Sequence, residues 1–479
     1  MDTRKSPEQT KQSKAPHDTP ETPQALVEFM AQGWLDAPIT IATVPHIESF
    51  QTRRKALSRA YPGSYLVIPA GVERVRANDT SFRFRPSSDF AYLMGHGEPG
   101  ALLVLAPRGK EHESILFVPP HNRGQAEFFT DRVYGELWVG RHRGVDESQI
   151  YFGVDKCRPI AQIATYLDEL RGGGHDVRIV RDHNEKIDAT LPASENDAAL
   201  ATHLGEMRLV KDEVEIAELR TCCEITKRAF EDVIRILPRA KSEREVEAAF
   251  WSRARIEAND VGYLTIAAAG NHACTLHWNH NHGAIRKGDL LLLDAGVEVE
   301  SLYTADITRT LPISGTFTAE QRAVYEIVYE AQRAGFEAVK PGNDFLEPNR
   351  AAMRVLTQGL IDLGILKMSL DEALDTDNQY YRRYTLHGVS HMLGIDVHDC
   401  AKARSETYRY GALEAGMVLT VEPGLYFQPD DATVPERFRG IGVRIEDDVV
   451  VTPNGYENLS GILPSAPDAV EAWMRDLQS

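Results

Sequence analysis

Near the end of the chain stand Leu386-His387-Gly-Val-Ser-His391-Met-Leu-Gly, Thr420-Val-Glu422-Pro-Gly-Leu-Tyr426 and Gly442-Val-Arg444-Ile-Glu446-Asp-Asp. Upstream lie Leu293-Asp294-Ala-Gly and Ala305-Asp306-Ile-Thr-Arg. These phrases offer four carboxylates and one imidazole to a metal site. An oxygen-rich donor set suits divalent manganese, cobalt or zinc, and clustered carboxylates carry enough negative charge to hold two such cations side by side. The chemistry they point to is two-metal hydrolysis.

The elements that must carry these groups read as strands. Side chains two apart on a strand share a face, so Arg444 points with Glu446, and Asp306 with Thr308 and Thr310. Asp294 ends the apolar run Asp289-Leu-Leu-Leu-Leu-Asp294, where a bare buried carboxylate is strongly disfavoured unless paired or metal-bound. Glu422 ends Val418-Leu-Thr-Val421 in the same way, with Pro423-Gly424 turning behind it. Each residue alone has a plainer account: a solvated acid at a strand end, a histidine satisfying a local hydrogen bond, or an exposed Arg444–Glu446 pair. Their joint occurrence in fixed order is what points to function.

The rest of the chain is globular in composition, and its 479 residues exceed the usual single-domain size, so two domains are expected. The 53 basic and 71 acidic residues leave a net charge of −18, which repels phosphate backbones and anionic headgroups, so neither nucleic acid nor a membrane is an expected partner. The cysteines Cys157, Cys222, Cys223, Cys274 and Cys400 are odd in number and lack CxxC spacing, which fits reduced thiols and a cytoplasmic setting. No window is apolar enough for a secretory leader or a membrane span.

Residues 1–40, rich in Pro, Thr, Gln, Ser and Lys, are expected to form a disordered arm. From His46 to Tyr61 the pattern is an amphipathic helix. Tyr65-Leu-Val-Ile-Pro69, Ala101 to Leu105 and Ser114 to Val118 then read as buried strands of an α/β domain that closes with a helix near Pro159 to Leu170 and a strand at Val177 to Val180. Long helices are predicted over Glu195–Met207 and Lys211–Leu237. Ser242-Glu-Arg-Glu245 and Thr318-Ala-Glu-Gln321 are capping boxes that start two more. Tyr263 to Ala267, Asp289 to Asp294, Tyr303 to Pro312, Met417 to Val421 and Val443 to Val451 read as strands of a mixed α+β second domain. The division is placed at 41–195 and 196–479.

Taken together, the phrases resemble those of the M24 metallopeptidase family, specifically its Xaa-Pro aminopeptidase branch. The catalytic phrases run from Met207-Arg-Leu-Val-Lys211 to Leu459, and Asn78-Asp79 through Pro86-Ser-Ser-Asp89-Phe-Ala-Tyr-Leu-Met-Gly95 resembles the amino-terminal domain of that branch. The resemblance implies an α+β fold: a pita-bread catalytic domain of the creatinase/aminopeptidase type, preceded by a smaller creatinase-like α/β domain. It implies two divalent metal ions, with Mn2+ the usual activator and Co2+ or Zn2+ as alternatives. Asp294 would bind one metal, Asp306 and Glu446 would bridge, and His391 and Glu422 would bind the other.

By the same resemblance, a metal-bridging hydroxide attacks the scissile carbonyl and Glu422 shuttles a proton to the leaving nitrogen. His277, His387 and His398 would orient the substrate, Arg444 would hydrogen-bond a ligating carboxylate, and Tyr426 would contribute to substrate binding. His280 and His282 read as part of a polar turn. Asp294 and Asp306 stand one residue further apart than is usual in the family, an excess assigned to the turn at Glu298 to Leu302. The implied substrates are peptides with proline second, and the implied assembly is a homodimer or homotetramer, with Trp138 near a contact between subunits. Two other readings stay open: an Xaa-Pro dipeptidase (prolidase), and a non-catalytic peptide-binding protein on the same fold.

Overall fold

The computed structural model describes residues 23–35 and 42–479. Part of the arm expected to be disordered is a helix, Gln24–Met30, which buries Val27; the rest of that arm lies outside the described residues, save 31–35, where Trp34 packs its ring 5.0 Å from that of Phe128. The apolar contact with the following domain supplies what this polar segment lacks by itself.

A five-stranded sheet follows, in the order Lys156–Pro159, Glu111–Val118, Leu102–Arg108, Tyr65–Pro69, Val177–Ile179. The inner three strands are antiparallel and the outer two run parallel to their neighbours. The inner strands are continuous apolar runs because both faces are covered. Leu66, Ile68, Leu103, Leu105, Leu116 and Val118 face one core. Val67, Leu102, Val104, Ile115 and Phe117 face another, closed by Leu167 and Leu170 of helix Ile163–Gly172.

Helices Glu195–Met207 and Glu213–Ile236 then lead into the larger body. Glu213–Ile236 packs on Glu243–Glu257, and Ala319–Ala338 on Glu347–Asp362. Thr318 caps its helix reciprocally with Gln321, as its sequence predicts. Helix Glu243–Glu257 starts where predicted, but Ser242 makes no side-chain cap bond. The Ser242 hydroxyl donates instead to Glu245 Oε1 at 3.3 Å, while Glu243 turns inward and accepts from the backbone N–H groups of Ala269 at 2.8 Å and Gly283 at 2.6 Å.

Small sheets line the inside. Leu290–Asp294 is the centre of one, between Ile266–Ala269 and Thr308–Pro312, with Asp294 opposite Thr308. The stretch read as one strand from Tyr303 to Pro312 is regular only from Thr308, and that from Tyr263 only from Ile266. The intervening turn holds Leu302 at φ 69°. Gly296 meets Ala305 so closely that a Cβ would lie 1.6 Å from its carbonyl oxygen.

The predicted strand Val443 to Val451 is likewise broken. Val418–Val421 pairs with Asp447–Thr452 in one sheet, while Gly424–Tyr426 pairs with Gly442–Arg444 in another. A long antiparallel pair thus passes between two sheets, and its break falls on Glu422-Pro423 in one strand and Ile445-Glu446 in the other. Proline at 423 cannot donate to a ladder, which favours the interruption there.

Beneath this break Arg309 is fully buried. Alternation along Thr308–Pro312 sends Thr308 and Thr310 inward and Arg309 to the opposite face. Its guanidinium donates to the carbonyls of Pro464 (2.8 Å), Thr308 (2.9 Å), Glu446 (2.7 Å) and Leu463 (2.9 Å), and to Asp447 Oδ1 at 2.7 Å. Every donor is satisfied, which is the condition under which a buried charge is tolerated. Removing the cation leaves Asp447 buried without a counter-charge, a situation that costs about 3–5 kcal/mol. Arg309→Met is therefore expected to lower the free energy of urea unfolding by about that amount, and a change below about 1 kcal/mol would contradict this account.

Candidate metal centre

The inward ends of these strands meet at one place. Asp294, Asp306 and Glu446 bring carboxylate oxygens within 4.8 Å of one another; His391, Glu422 and Glu446 do the same, as do Asp306, His391 and His398. All five residues expected to be metal ligands are thus brought together, and His398 stands beside them.

His391 reaches the site because residues 389–393 run antiparallel to Val418–Val421. Thr420 N–H donates to His391 O at 3.0 Å, Glu422 N–H to Val389 O at 2.8 Å and Leu393 N–H to Val418 O at 3.0 Å. Its Nδ1 lies 3.2 Å from Met392 O, which fixes Nδ1 as the donor and turns Nε2 towards Asp306 Oδ2 at 3.3 Å and Glu422 Oε1 at 3.6 Å. Thr308 hydroxyl donates to Glu446 Oε2 at 2.6 Å, and Glu446 N–H to Thr308 O at 3.1 Å, so one strand sets both the side chain and the backbone of Glu446.

Arg444 is buried and spans the site. It donates to Asp294 Oδ2 at 2.6 Å, to Tyr426 hydroxyl at 2.8 Å and to Thr308 Oγ1 at 3.3 Å. Tyr426 hydroxyl in turn lies 2.7 Å from His387 Nε2, and His387 Nδ1 lies 2.8 Å from Gly388 O. A chain of polar contacts therefore runs from Asp294 through Arg444 and Tyr426 to His387. His277 is exposed and makes no side-chain hydrogen bond in this network; it stands near enough to His387 and His398 for a charge on it to lower both. His280 and His282 turn away and gather around the Trp278 ring, with centroids 5.5 and 5.0 Å from it.

Two contributors carry no mark in the sequence. Tyr263 hydroxyl contacts both Asp294 Oδ1 at 2.6 Å and Asp306 Oδ1 at 2.5 Å, bridging carboxylates of neighbouring strands. It opens an apolar stretch and reads as ordinary strand. Asp448 is fully buried and accepts the backbone N–H of Asp306 at 3.1 Å. Its sequence signal was only its place in Glu446-Asp-Asp, behind a residue of greater apparent interest.

The electrostatics follow from burial. It pushes the carboxyls of Asp294 and Glu446 upward, Glu446 far above the usual range, with the neighbouring acids adding to the effect. Burial also raises Glu422 to about 7, against the opposing charges of His391 and Arg444. For His391 burial disfavours the cation, but the Asp306 hydrogen bond and charge outweigh it and lift the imidazole to about 9. Burial and the Arg444 charge bring His387 down to about 4, so it is neutral at physiological pH. Three buried carboxylates and the half-buried Glu422, facing one another with a single fixed cation, Arg444, form a donor set that lacks positive charge. Two divalent cations fit that deficit, and the oxygen-rich set with one imidazole suits their coordination.

With this geometry in place, the comparisons with known proteins are direct. Residues 217–453 match the pattern of Metallopeptidase family M24, and residues 50–179 that of the Aminopeptidase P N-terminal domain. The chain is 48% identical over 460 residues to Xaa-Pro aminopeptidase 1 of Streptomyces coelicolor, spanning 95% of this chain and 92% of that protein. It is 38% identical over 447 residues to the Xaa-Pro aminopeptidase of Escherichia coli, spanning 89% and 97%. The fold superposes on the crystal structure of E. coli aminopeptidase P with the inhibitor Pro-Leu at a TM-score of 0.82 and 35% identity, covering 91% of this chain and 100% of that one. The pita-bread catalytic fold with its amino-terminal companion is thereby established, and the chain belongs to the M24 metallopeptidase family, in its Xaa-Pro aminopeptidase branch.

Proposed function

We propose that the protein removes the N-terminal residue from peptides whose second residue is proline, using two divalent cations, Mn2+ in the first place, held by Asp294, Asp306, His391, Glu422 and Glu446. The observation that carries this reading is the convergence of these five side chains, from distant parts of the chain, in overlapping groups of three within ligand distance. Bound cations supply Lewis-acid polarisation of the scissile carbonyl and a water acidified for attack.

The chain's own residues account for the rest. Glu422, facing His391 at 3.6 Å on the edge of the site, is the group proposed to pass a proton to the leaving nitrogen. A prolyl nitrogen carries no N–H in the substrate, so recognition must come from shape and from the carbonyl on either side. Neutral His387, held by Tyr426, and His398, with His277 at the rim, are placed to receive the peptide around the bond to be cut. Arg444 orients Asp294 and works against the upward push of burial on its carboxyl.

We take residues 41–195 and 196–479 as the two domains, a division supported by the two matched family patterns falling on either side of it. The cytoplasm is the proposed compartment, supported by five unpaired cysteines. Among the described residues no helix is long and apolar enough to cross a membrane. A homodimer or homotetramer is proposed on the half-exposed Leu137, Trp138 and Val139 side chains, which a partner would cover.

Asp306→Asn or Glu446→Gln should reduce kcat/KM on a Xaa-Pro-Xaa peptide by more than about 100-fold, beyond what loss of an outer partner of a metal ligand produces; full activity in either would contradict the site assignment. A panel of Xaa-Pro-Xaa, Xaa-Pro and Xaa-Ala-Xaa peptides should show cleavage of the first alone, whereas preference for the dipeptide would favour a prolidase.

Metal loading should release protons. Without metal, Glu422 is lifted to about 7 and His391 to about 9, so at pH 7 a proton sits on His391 and partly on Glu422 and competes with the cation. Raising the pH strips those protons, so apparent affinity for Mn2+ should rise between pH 6 and 9 while the number released falls. Calorimetry in two buffers of different ionisation enthalpy measures that number, and identical heats at pH 7 would overturn the expectation.

A further inference from the structure

Two phrases that bear on no metal ligand, Ser88-Asp89 and Arg208 to Lys211, meet each other under the loop that carries His398. Arg208 is buried and donates through Nη1 to Asp89 Oδ1 of the N-terminal domain and through Nε to Asp399 Oδ1 at 3.0 Å. Lys211, its ammonium fully buried, donates to the other oxygen of Asp399 at 3.4 Å. Asp399 directly follows His398, whose ring lies 4.3 Å from that of His391.

The rest of the loop is gripped from the same side. Arg85 donates to Ile395 O at 2.7 Å and Ser88 hydroxyl to Asp396 Oδ1 at 2.6 Å. Thr304 N–H donates to Gly394 O at 3.1 Å. Gly394 lies so near Asp399 that a Cβ would come within 2.2 Å of Oδ2. Cys400, buried, is held at φ 61°, a conformation costly for a residue with a side chain and maintained only where the surroundings over-determine it. Its N–H donates to Asp399 Oδ1 at 2.8 Å.

A loop without regular structure, strained at one end and pinned at both edges, depends on this ionic clasp for its shape. Two carboxylates from different domains, Asp399 buried and Asp89 half-buried, share one guanidinium, whose planar fork can reach both at once; a lysine there could not. We propose that Arg208 is a positioning residue for the reaction: it joins Asp89 to Asp399 so that docking of the N-terminal domain fixes where His398 stands beside the metal centre. The N-terminal domain is on this view part of the catalytic device within one chain. This rests on the proposed peptidase reading for its kinetic arm only.

The test is a kinetic cycle on the full-length, metal-loaded protein with Arg208→Gln, His398→Ala and the double variant, together with histidine-labelled NMR of the same proteins loaded with diamagnetic Zn2+. Arg208→Gln should retain two metals by analysis and lose about 10- to 100-fold in kcat/KM, the size typical of removing an outer support. In the His398→Ala background the same change should cost less than about 2-fold, because residues acting as one unit are non-additive. The His398 ring resonances, assigned by their absence in His398→Ala, should shift in Arg208→Gln whatever the substrate. Losses that multiply in the double variant, or unmoved His398 resonances, would overturn the proposal. Should Arg208→Gln not fold, Ser88→Ala removes one loop contact without leaving a buried charge; it should shift the same resonances and show the same non-additivity with a smaller loss, and multiplying losses there refute the proposal equally. Shifted resonances in a protein inactive on Xaa-Pro-Xaa would fault the peptidase reading and leave the clasp standing.

Discussion

The structure is organised around the mutual repulsion of four carboxylates, three buried and one half-buried. Asp294, Asp306, Glu422 and Glu446 face one another with Arg444 as their one fixed cation, and burial pushes three of them towards protonation. Such an arrangement is costly for the bare polypeptide. It persists because Asp294, Glu422 and Glu446 sit at the end or break of buried strands that cannot move without disrupting the ladder beside them, because Tyr263 and Asp448 hold Asp306, and because cations supply the charge the chain lacks. Stability and function are therefore opposed at this one point, and the surrounding fold resolves the conflict.

The resolution is visible in how the supports are layered. The paired interruption at Glu422-Pro423 and Ile445-Glu446 places two glutamates opposite each other where the strands pass between sheets. Behind it, Arg309 ties the carbonyl of Glu446 to Asp447 and to the segment 463–464. Tyr263 and Asp448 hold Asp306 from two further directions. The loop with His398 has no ladder, and there the binding of Asp89 and Asp399 by Arg208 takes over the same task across the domain boundary.

Much of the site was legible because a polar residue closing an apolar strand is rare enough to signal purpose. Asp294 after four leucines and Glu422 after Val418-Leu-Thr-Val421 show this directly, and the two-residue repeat correctly put Thr308 and Thr310 on the face of Asp306. The strand boundaries were harder to read. Continuous apolar patterning ran Tyr303 to Pro312 and Val443 to Val451 together, whereas close approach at Gly296 and the kink at Ile445-Glu446, both set by tertiary contacts, cut them short. Tyr263 and Arg309 escaped notice for a related reason: their partners lie tens of residues away in sequence, and nothing local distinguishes a tyrosine that bridges two acids from one that fills a core. At Ser242 the two members of the motif bond each other's side chains, and the backbone N–H that Glu245 accepts is that of Lys241, one residue before the cap. The arm before residue 40 misled in part, since composition does not reveal that Val27 and Trp34 find apolar partners elsewhere.

The central claim is that five side chains share two divalent cations. Anomalous X-ray diffraction from crystals grown with Mn2+, collected on both sides of the manganese absorption edge, examines it without reference to any substrate. Two anomalous peaks are expected between Asp294, Asp306, His391, Glu422 and Glu446, with Asp306 and Glu446 touching both. A single peak, or peaks bound by other residues while these five stay unliganded, would contradict the account.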